Sequence, residues 1–155
     1  MSAKLIHGVE VKPLRVIPDE RGMLAEILRS DEKIFRKFGQ VYFTTAFPGT
    51  VKGWHYHKVQ WDHFTCIHGE VKLVLYDARE NSPTPREINE FFLGIRNPRL
   101  VCIPPFVYHG FKCVGEEECI MINVPTEPYN PAAPDEFRVA WDDPSIPYDW
   151  TRKNG

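Results

Sequence analysis

The chain has 155 residues, of which 43% are hydrophobic and 26% are charged, values that are typical of one globular domain. Its formal net charge of −2 gives no electrostatic reason to expect a nucleic acid or an anionic membrane as partner. No apolar run approaches the ~20 residues that span a bilayer, and the start of the chain lacks the apolar stretch of a secretory signal. We therefore expect one cytoplasmic domain over residues 1–155.

Short runs of alternating or β-branched residues, separated by turn residues, predict strands along most of the chain. One segment, 30–39 (SDEKIFRKFG), has the pattern of a short helix. Ile34, Phe35 and Phe38 would form its apolar face, and Gly39 would follow its last turn. The ten predicted strands are 9–14, 23–28, 40–47, 50–57, 62–67, 71–77, 88–94, 99–104, 109–114 and 119–124.

Ten short strands with one short helix predict an all-β domain, either a sandwich or a jelly-roll barrel. The proline-rich tail from Pro125 onward is typical of an ordered extended loop rather than a second domain. The four cysteines lie in strand-like runs without C-x-x-C spacing, so we expect buried, reduced thiols. They are Cys66, Cys102, Cys113 and Cys119.

The segment 51–69, VKGWHYHKVQWDHFTCIHG, concentrates polar side chains that can do chemistry. His55 and His57 are two residues apart on a predicted strand, so they project from the same face. Asp62 begins the next strand, and His109 follows a distant pair of prolines. Three imidazoles and one carboxylate suit a divalent metal ion whose identity the ligands alone do not fix. The same groups could instead satisfy one another and water inside a barrel.

Three further polar side chains of these strands are predicted to lie outside the site. His63 directly follows Asp62, so strand alternation points it away, and His68 ends its strand at a turn. Alternation likewise points Tyr108 away from His109, so packing is the expected role of its ring.

The spacing H-x-H, carboxylate, glycine and distant P-x-x-x-x-H resembles the two motifs of the cupin superfamily. A closer resemblance covers nearly the whole chain, through the ordered blocks PDERGMLAEI, PGTVKGWHYHK, GEVKLVLYDARENSPT, NPRLVCIPPFVYHGF, PTEPYNP and WDDPSIPYDW. These blocks are similar to nucleotide-sugar 3,5-epimerases of deoxysugar synthesis, which act on dTDP-4-keto-6-deoxyglucose and related sugars. The resemblance implies a cupin-type jelly-roll barrel, a homodimer, a nucleotide-sugar substrate and chemistry without a cofactor.

The resemblance also implies roles for individual residues. His55 falls on the catalytic base, and Lys52 falls on an arginine that helps to hold the oxyanion. The block around Arg21 and Glu26 contacts the nucleotide in the family, often across the dimer interface, and Tyr129 matches a tyrosine near the sugar. The predicted substrate-binding residues are Arg21, Glu26, Gln40, Asn123 and Tyr129.

Three departures from the family pattern concern the catalytic set itself. The family's general acid is a tyrosine six residues before Tyr129, and that position is Asn123. The family's second oxyanion cation is a lysine, and that position is Asp62, whose carboxylate would repel an enolate. The resemblance also includes a C-terminal aspartate that orients the family's base, for which we expect no counterpart among residues 1–155. His109, Tyr108 and His57 are candidate replacements for the missing acid, although alternation favours a packing role for Tyr108.

The departures leave three functions open. The first is an isomerase or epimerase acting on a nucleotide-linked keto sugar, with His55 as base. The second is a metal-dependent cupin enzyme of another class, such as an oxygenase or a lyase, in which a divalent ion supplies the oxyanion stabilisation. Its metal ligands would be His55, His57, Asp62 and His109. The third is a catalytically silent cupin that binds sugars.

Overall fold

Two antiparallel five-stranded sheets face one another in a computed structural model that describes residues 4–154. The first sheet has the order β1-β9-β6-β11-β4, the second has the order β12-β5-β10-β7-β8, and β2 pairs with β3 in a separate hairpin. The strands are β1 (Glu10–Pro13), β2 (Val16–Asp19), β3 (Gly22–Ala25), β4 (Tyr42–Ala46), β5 (Val51–Tyr56), β6 (Asp62–His68), β7 (Glu70–Asp77), β8 (Ile88–Gly94), β9 (Arg99–Ile103), β10 (Val107–Cys113), β11 (Cys119–Asn123) and β12 (Phe137–Arg138).

The architecture confirms the prediction of an all-β, cupin-type jelly roll. Each of the ten predicted strands overlaps an observed one, whereas β2 and β12 were not predicted. β2 contains Pro18, and β12 is only two residues long within the proline-rich tail, so neither has a clear strand pattern. Residues 1–3 and 155 of the predicted domain lie outside the described residues.

The predicted helix at 30–39 is wrong, because this segment forms isolated turns. The carbonyl of Glu32 accepts the Phe35 N–H at 3.0 Å, a turn bond that the following residues do not continue. The carbonyl of Ile34 lies 3.1 Å from a ring nitrogen of His63, and the Gly39 N–H donates to the Pro125 carbonyl at 3.0 Å. Long-range bonds of this kind replace the local ladder that the apolar spacing suggested.

Within residues 4–154, no helix is long and apolar enough to cross a membrane. The four cysteines are free and buried, as predicted.

The core explains why β7 is an almost continuous apolar run. Leu73 and Leu75 face the other sheet and belong to the main core, whereas Val74 and Tyr76 face a second cluster on the outer side. Trp54, which is 1% exposed, is one of two buried tryptophans in that outer cluster. Because neighbouring residues of a strand point to opposite faces, burial of Trp54 on the outside turns the next side chain toward the barrel interior.

A close approach of two glycines fixes how β5 and β10 pair. A Cβ built on Gly110 would lie 2.8 Å from the Gly53 Cα and 3.0 Å from the Lys52 carbonyl oxygen. The pairing places His109 opposite His55 but Phe111 opposite Lys52, so the register shifts between these two pairs. The register shift is a β-bulge, which re-aims the side chains of β5.

We predict that Gly110→Ala lowers the free energy of unfolding by about 1–3 kcal/mol, because the added methyl forces β5 and β10 apart. Gly115→Ala is the matched control, since its Cβ would meet neighbours at 3.5 Å or more and should cost little. Chemical denaturation of both variants measures the difference. Equal stability of the two variants would contradict the close approach.

Candidate active site

A cavity of about 990 Å³ opens between the two sheets, at the upper end of the range for small-molecule sites. Lys52, His55 and His109 line it from one sheet, and Tyr42 and Thr44 line it from the other. Its floor is the top of the main core, and its rim is the proline-rich segment 127–139. The floor residues are Phe64, Leu73 and Phe111.

His55 enters the cavity from β5, with its ring centroid 6.2 Å from that of His109. No group within residues 4–154 forms a hydrogen bond with the His55 ring. Burial, followed by the positive charge of Arg138, lowers the pKa of His55 below its ordinary value of 6.5. A neutral imidazole without a hydrogen-bond partner can accept a proton from a bound molecule.

Lys52 brings a cation to the same cavity. Lys52 and His55 are three residues apart and would point to opposite faces of a regular strand, but the bulge in β5 turns both inward. The Lys52 ammonium donates to the Thr44 hydroxyl of the opposite sheet at 2.9 Å. This bond holds the charge at the cavity wall.

Behind the wall, the Asp62 carboxylate is 1% exposed and collects four polar contacts. Its Oδ1 accepts hydrogen bonds from Gln60 Nε2 at 2.7 Å and from Asn123 Nδ2 at 2.8 Å. Its Oδ2 lies 3.0 Å from His57 Nε2 and 3.3 Å from His109 Nε2. The carboxylate therefore faces imidazoles and amides instead of the open cavity.

The Asp62 charge is balanced by His57. Burial alone would favour the neutral His57 ring, but Asp62 at Nε2 and the Asp135 carbonyl at Nδ1 outweigh it and raise the pKa of His57 to about 9. Burial also opposes the charge of Asp62, yet His57 and His109 together hold the pKa of that carboxyl at about 2. Burial lowers the pKa of His109 to about 4. One imidazolium and one carboxylate thus form a buried pair.

The predicted four-ligand metal set is only partly assembled. Ligand atoms of His57, Asp62 and His109 lie within 4.8 Å of one another, and His55 is not part of this group. The reason is that β5 ends at Tyr56, so the chain turns the His57 ring toward Asp62 while the His55 ring stays over the cavity. The three grouped side chains have the donor types of a divalent metal site.

Asn123 is 0% exposed and is not among the residues that line the cavity, so the structure does not place it for the predicted contact with substrate. Its Oδ1 accepts the His63 backbone N–H at 3.0 Å. Its Nδ2 donates to Asp62 and also to the Tyr42 hydroxyl, at 3.0 Å. All the polar atoms of this side chain are thereby used inside the protein.

The sequence matches the family model described as dTDP-4-dehydrorhamnose 3,5-epimerase over residues 3–154. The chain belongs to this family. The matched range includes both strands that line the cavity with Lys52, His55 and His109.

Relatives of the same length support the assignment. The spore coat polysaccharide biosynthesis protein SpsL of Bacillus subtilis is 41% identical over 94% of this chain and 97% of its own. The probable low-salt glycan biosynthesis epimerase Agl13 of Haloferax volcanii is 43% identical over 94% of both chains. A solved dTDP sugar isomerase from Desulfovibrio desulfuricans G20 superposes with a TM-score of 0.89, at 35% identity, over 94% of this chain and 92% of its own.

The other residues that the 3,5-epimerase resemblance implied fall into two groups. Gln40 and Tyr129 lie on the cavity wall, where the Gln40 side-chain oxygen accepts the Tyr129 N–H at 3.2 Å. Arg21 and Glu26 lie on and beside the β2–β3 hairpin, exposed to solvent and away from the cavity of their own chain. The Arg21 guanidinium instead pairs with Asp19.

The side chains predicted to lie outside the site do so. His63 is 0% exposed and lies 2.9 Å from the Val124 carbonyl through Nδ1. His68 is exposed and lies near Glu117, and the Tyr108 ring packs on Tyr56.

Several wall residues were missed by the sequence predictions, among them Tyr42, Thr44, Asp135 and Arg138. Tyr42 and Thr44 lie at period two from Gln40 on a predicted strand, which was the one available signal. Asp135 and Arg138 belong to the tail, whose path over the cavity has no local signature.

We predict that Asp62→Asn lowers the free energy of unfolding by about 3 kcal/mol near neutral pH, because it leaves His57 without its buried partner. The folded-state pKa of His57 is above its ordinary 6.5, so its stabilisation is complete below that pH and is lost as pH rises through about 9. The difference in free energy of unfolding between the wild type and Asp62→Asn should therefore narrow as the pH rises from 6.5 through about 9.

NMR titration of the His57 ring provides the direct measurement. In Asp62→Asn the His57 pKa should fall well below 9, because only the contacts with Asp135 remain to oppose the effect of burial. Asp142→Asn, at an exposed position, is the control and should change neither quantity. An unaltered His57 pKa in Asp62→Asn would contradict the charge pair.

Proposed function

We propose that the protein is an isomerase that epimerises a nucleotide-linked 4-keto deoxysugar in polysaccharide or deoxysugar biosynthesis, with a dTDP sugar as the first candidate substrate. The observation that carries the proposal is the pairing of a neutral base, His55, with a held cation, Lys52, in one cavity of a 3,5-epimerase family member. Relatives named as glycan and dTDP-sugar epimerases support it.

Proton transfer beside a ketone fits the groups on the cavity wall. A 4-keto group acidifies the hydrogens on the neighbouring C3 and C5 carbons, so an imidazole can remove one of them. His55 would take that proton, and the electron pair would move onto the keto oxygen. The Lys52 ammonium would stabilise the resulting enolate oxygen. The ketone of the substrate supplies the acidity, so each step uses a group of the chain or of the substrate.

The buried pair removes the electrostatic objection to Asp62. An isolated carboxylate near the enolate would raise its energy, but the His57 imidazolium lies 3.0 Å from the carboxylate and offsets its charge. The enolate would then experience the nearby Lys52 cation more strongly than the balanced pair behind the wall. This arrangement replaces the lysine that the family has at position 62.

We propose a homodimer in which each chain helps to complete the partner's site. The β2–β3 hairpin exposes Ile17, Met23 and Leu24, at 47%, 54% and 57%, beside Arg21. Such a group of apolar side chains is typical of an interface. A second copy is the expected occupant, since the Arg21 side chain is 84% exposed and the family uses this block across the dimer interface.

A metal-dependent cupin enzyme is the second candidate. It is favoured by the convergence of His57, Asp62 and His109, and by the backbone carbonyls of Asp135 and Val107 at the Nδ1 atoms of the two histidines. Carbonyls in this position orient histidine ligands toward a metal. These residues fit a divalent ion, which would supply Lewis-acid stabilisation of the keto oxygen.

We predict that the purified protein incorporates solvent deuterium at C3, C5 or both when incubated in D₂O with dTDP-4-keto-6-deoxyglucose. His55→Ala should reduce this exchange by about 100-fold or more, because it removes the base. His68→Ala is the matched control, since its exposed ring lies outside the cavity. NMR of the recovered sugar measures both position and extent.

The same experiment separates the alternatives. Binding of the nucleotide sugar without exchange would overturn the epimerase proposal in favour of a silent sugar-binding protein. Exchange that requires added divalent metal and disappears with a chelator would favour the metal-dependent enzyme.

For the shared site, we predict that mixing two inactive variants restores activity. In a heterodimer of Arg21→Ala with His55→Ala, one site has both mutations and the other has neither. Random reassortment should give about a quarter of the wild-type activity. Each variant mixed only with itself is the control, and no recovery in mixtures shown to contain heterodimers would contradict a shared site.

A further inference from the structure

If the protein has the proposed function, on which this inference rests, it must epimerise a carbon of the sugar. Epimerisation at one carbon requires two groups on opposite sides of the sugar ring. The base removes a proton from one face, and an acid must return a proton to the other. His55 projects from the β12-β5-β10-β7-β8 sheet, so the acid is expected on the facing sheet. The family's acid position is Asn123, which has no acidic proton and does not reach the cavity.

Tyr42 lies where such an acid is needed. It belongs to β4, on the sheet opposite His55, and it lines the same cavity. In the pairing of β4 with β11, Tyr42 is directly opposite Asn123. The Tyr42 hydroxyl lies 3.0 Å from the Asn123 Nδ2 atom. A phenol is therefore present next to the family's acid position, but it comes from the neighbouring strand.

The hydrogen bonds of Asn123 determine the direction in which the phenol can donate. The Asn123 Oδ1 atom accepts the backbone N–H of His63 at 3.0 Å, which fixes the orientation of the amide. The two Nδ2 hydrogens then point to the Tyr42 hydroxyl and to Asp62, at 3.0 and 2.8 Å. Because the Tyr42 oxygen accepts this bond, its own hydrogen remains free for a second partner.

The position of Thr44 adds a geometric reason. Thr44 is two residues after Tyr42 on β4, so both side chains project from one face of the strand. Thr44 accepts the bond from Lys52, and Lys52 is the cation proposed to hold the enolate oxygen. Tyr42 therefore lies along the same cavity wall as the oxyanion site. Burial and the nearby charge of Asp62 raise the pKa of Tyr42 to about 12, which keeps the phenol protonated.

The two histidines considered as replacement acids are less suitable. His109 is on β10 and His57 follows β5, so both belong to the same sheet as the base. Both imidazoles also face Asp62 through Nε2, at 3.0 and 3.3 Å. A proton returned from that side would restore the original configuration.

We propose that Tyr42 is the catalytic acid. Its O–H bond breaks as a new C–H bond forms at the enolate carbon, on the face opposite His55, and the enolate collapses to the ketone. One turnover leaves a protonated His55 and a Tyr42 phenolate. Water takes the proton from the first and gives one to the second, so no other reactant is consumed.

The test measures inversion and exchange separately in D₂O with dTDP-4-keto-6-deoxyglucose. Tyr42→Phe removes only the hydroxyl, so His55 should still remove the proton and return deuterium to the same face. We expect formation of the inverted sugar to fall by about 100-fold or more, while deuterium incorporation with retained configuration persists. Tyr108→Phe, whose ring packs on the outer side against Tyr56, is the matched control and should leave both rates unchanged.

Binding of dTDP and the unfolding midpoint are measured for both variants, so that a loss of folding is recognised. Inversion by folded Tyr42→Phe within a few-fold of the wild type would overturn the proposal. Equal loss of inversion and exchange in the folded variant would also overturn it, because Tyr42 would then act in proton removal. Absence of exchange in the wild type would instead contradict the proposed function, which keeps the two failures distinct.

Discussion

The buried carboxylate of Asp62 is the constraint on which the rest of the site depends. A carboxylate at 1% exposure is stable only if charged or hydrogen-bonding groups surround it. Those groups come from both sheets: Asn123 from β11 beside it, and His57 and His109 from the β5–β10 side. The pair therefore ties the two sheets together directly behind the cavity, and it fixes the positions of the polar side chains around it.

This constraint gives two histidines of one motif different chemistry. His57 has an acceptor at each ring nitrogen, so its imidazole keeps its proton. Burial and the positive charge of Arg138 instead disfavour protonation of His55. The difference arises from what each ring contacts, not from their spacing. It leaves the neutral imidazole at the cavity and the charged one in the wall. An enzyme that must remove a proton at neutral pH benefits from this division.

Strand alternation alone predicted that His55 and His57 share a face and that His63 points away, because period two is a local property of the chain. Alternation would have excluded Lys52, and only the resemblance to the family identified it. The bulge that turns Lys52 inward depends on the contact between Gly53 and Gly110, which are far apart in sequence. The helix at 30–39 failed for a related reason: long-range bonds determine its turns. The proposed acid role of Tyr42 could not be predicted from the sequence. It depends on the pairing of β4 with β11, which places Tyr42 opposite Asn123.

A crystal structure of the His55→Ala variant with dTDP-4-keto-6-deoxyglucose bound tests this account most directly. The sugar ring should lie between position 55 and Tyr42, with the Tyr42 hydroxyl within roughly 3.5 Å of the reacting carbon on the far face. The keto oxygen should contact the Lys52 ammonium. A sugar bound outside this gap, or a metal ion held by His57, Asp62 and His109 in contact with the keto oxygen, would contradict the account.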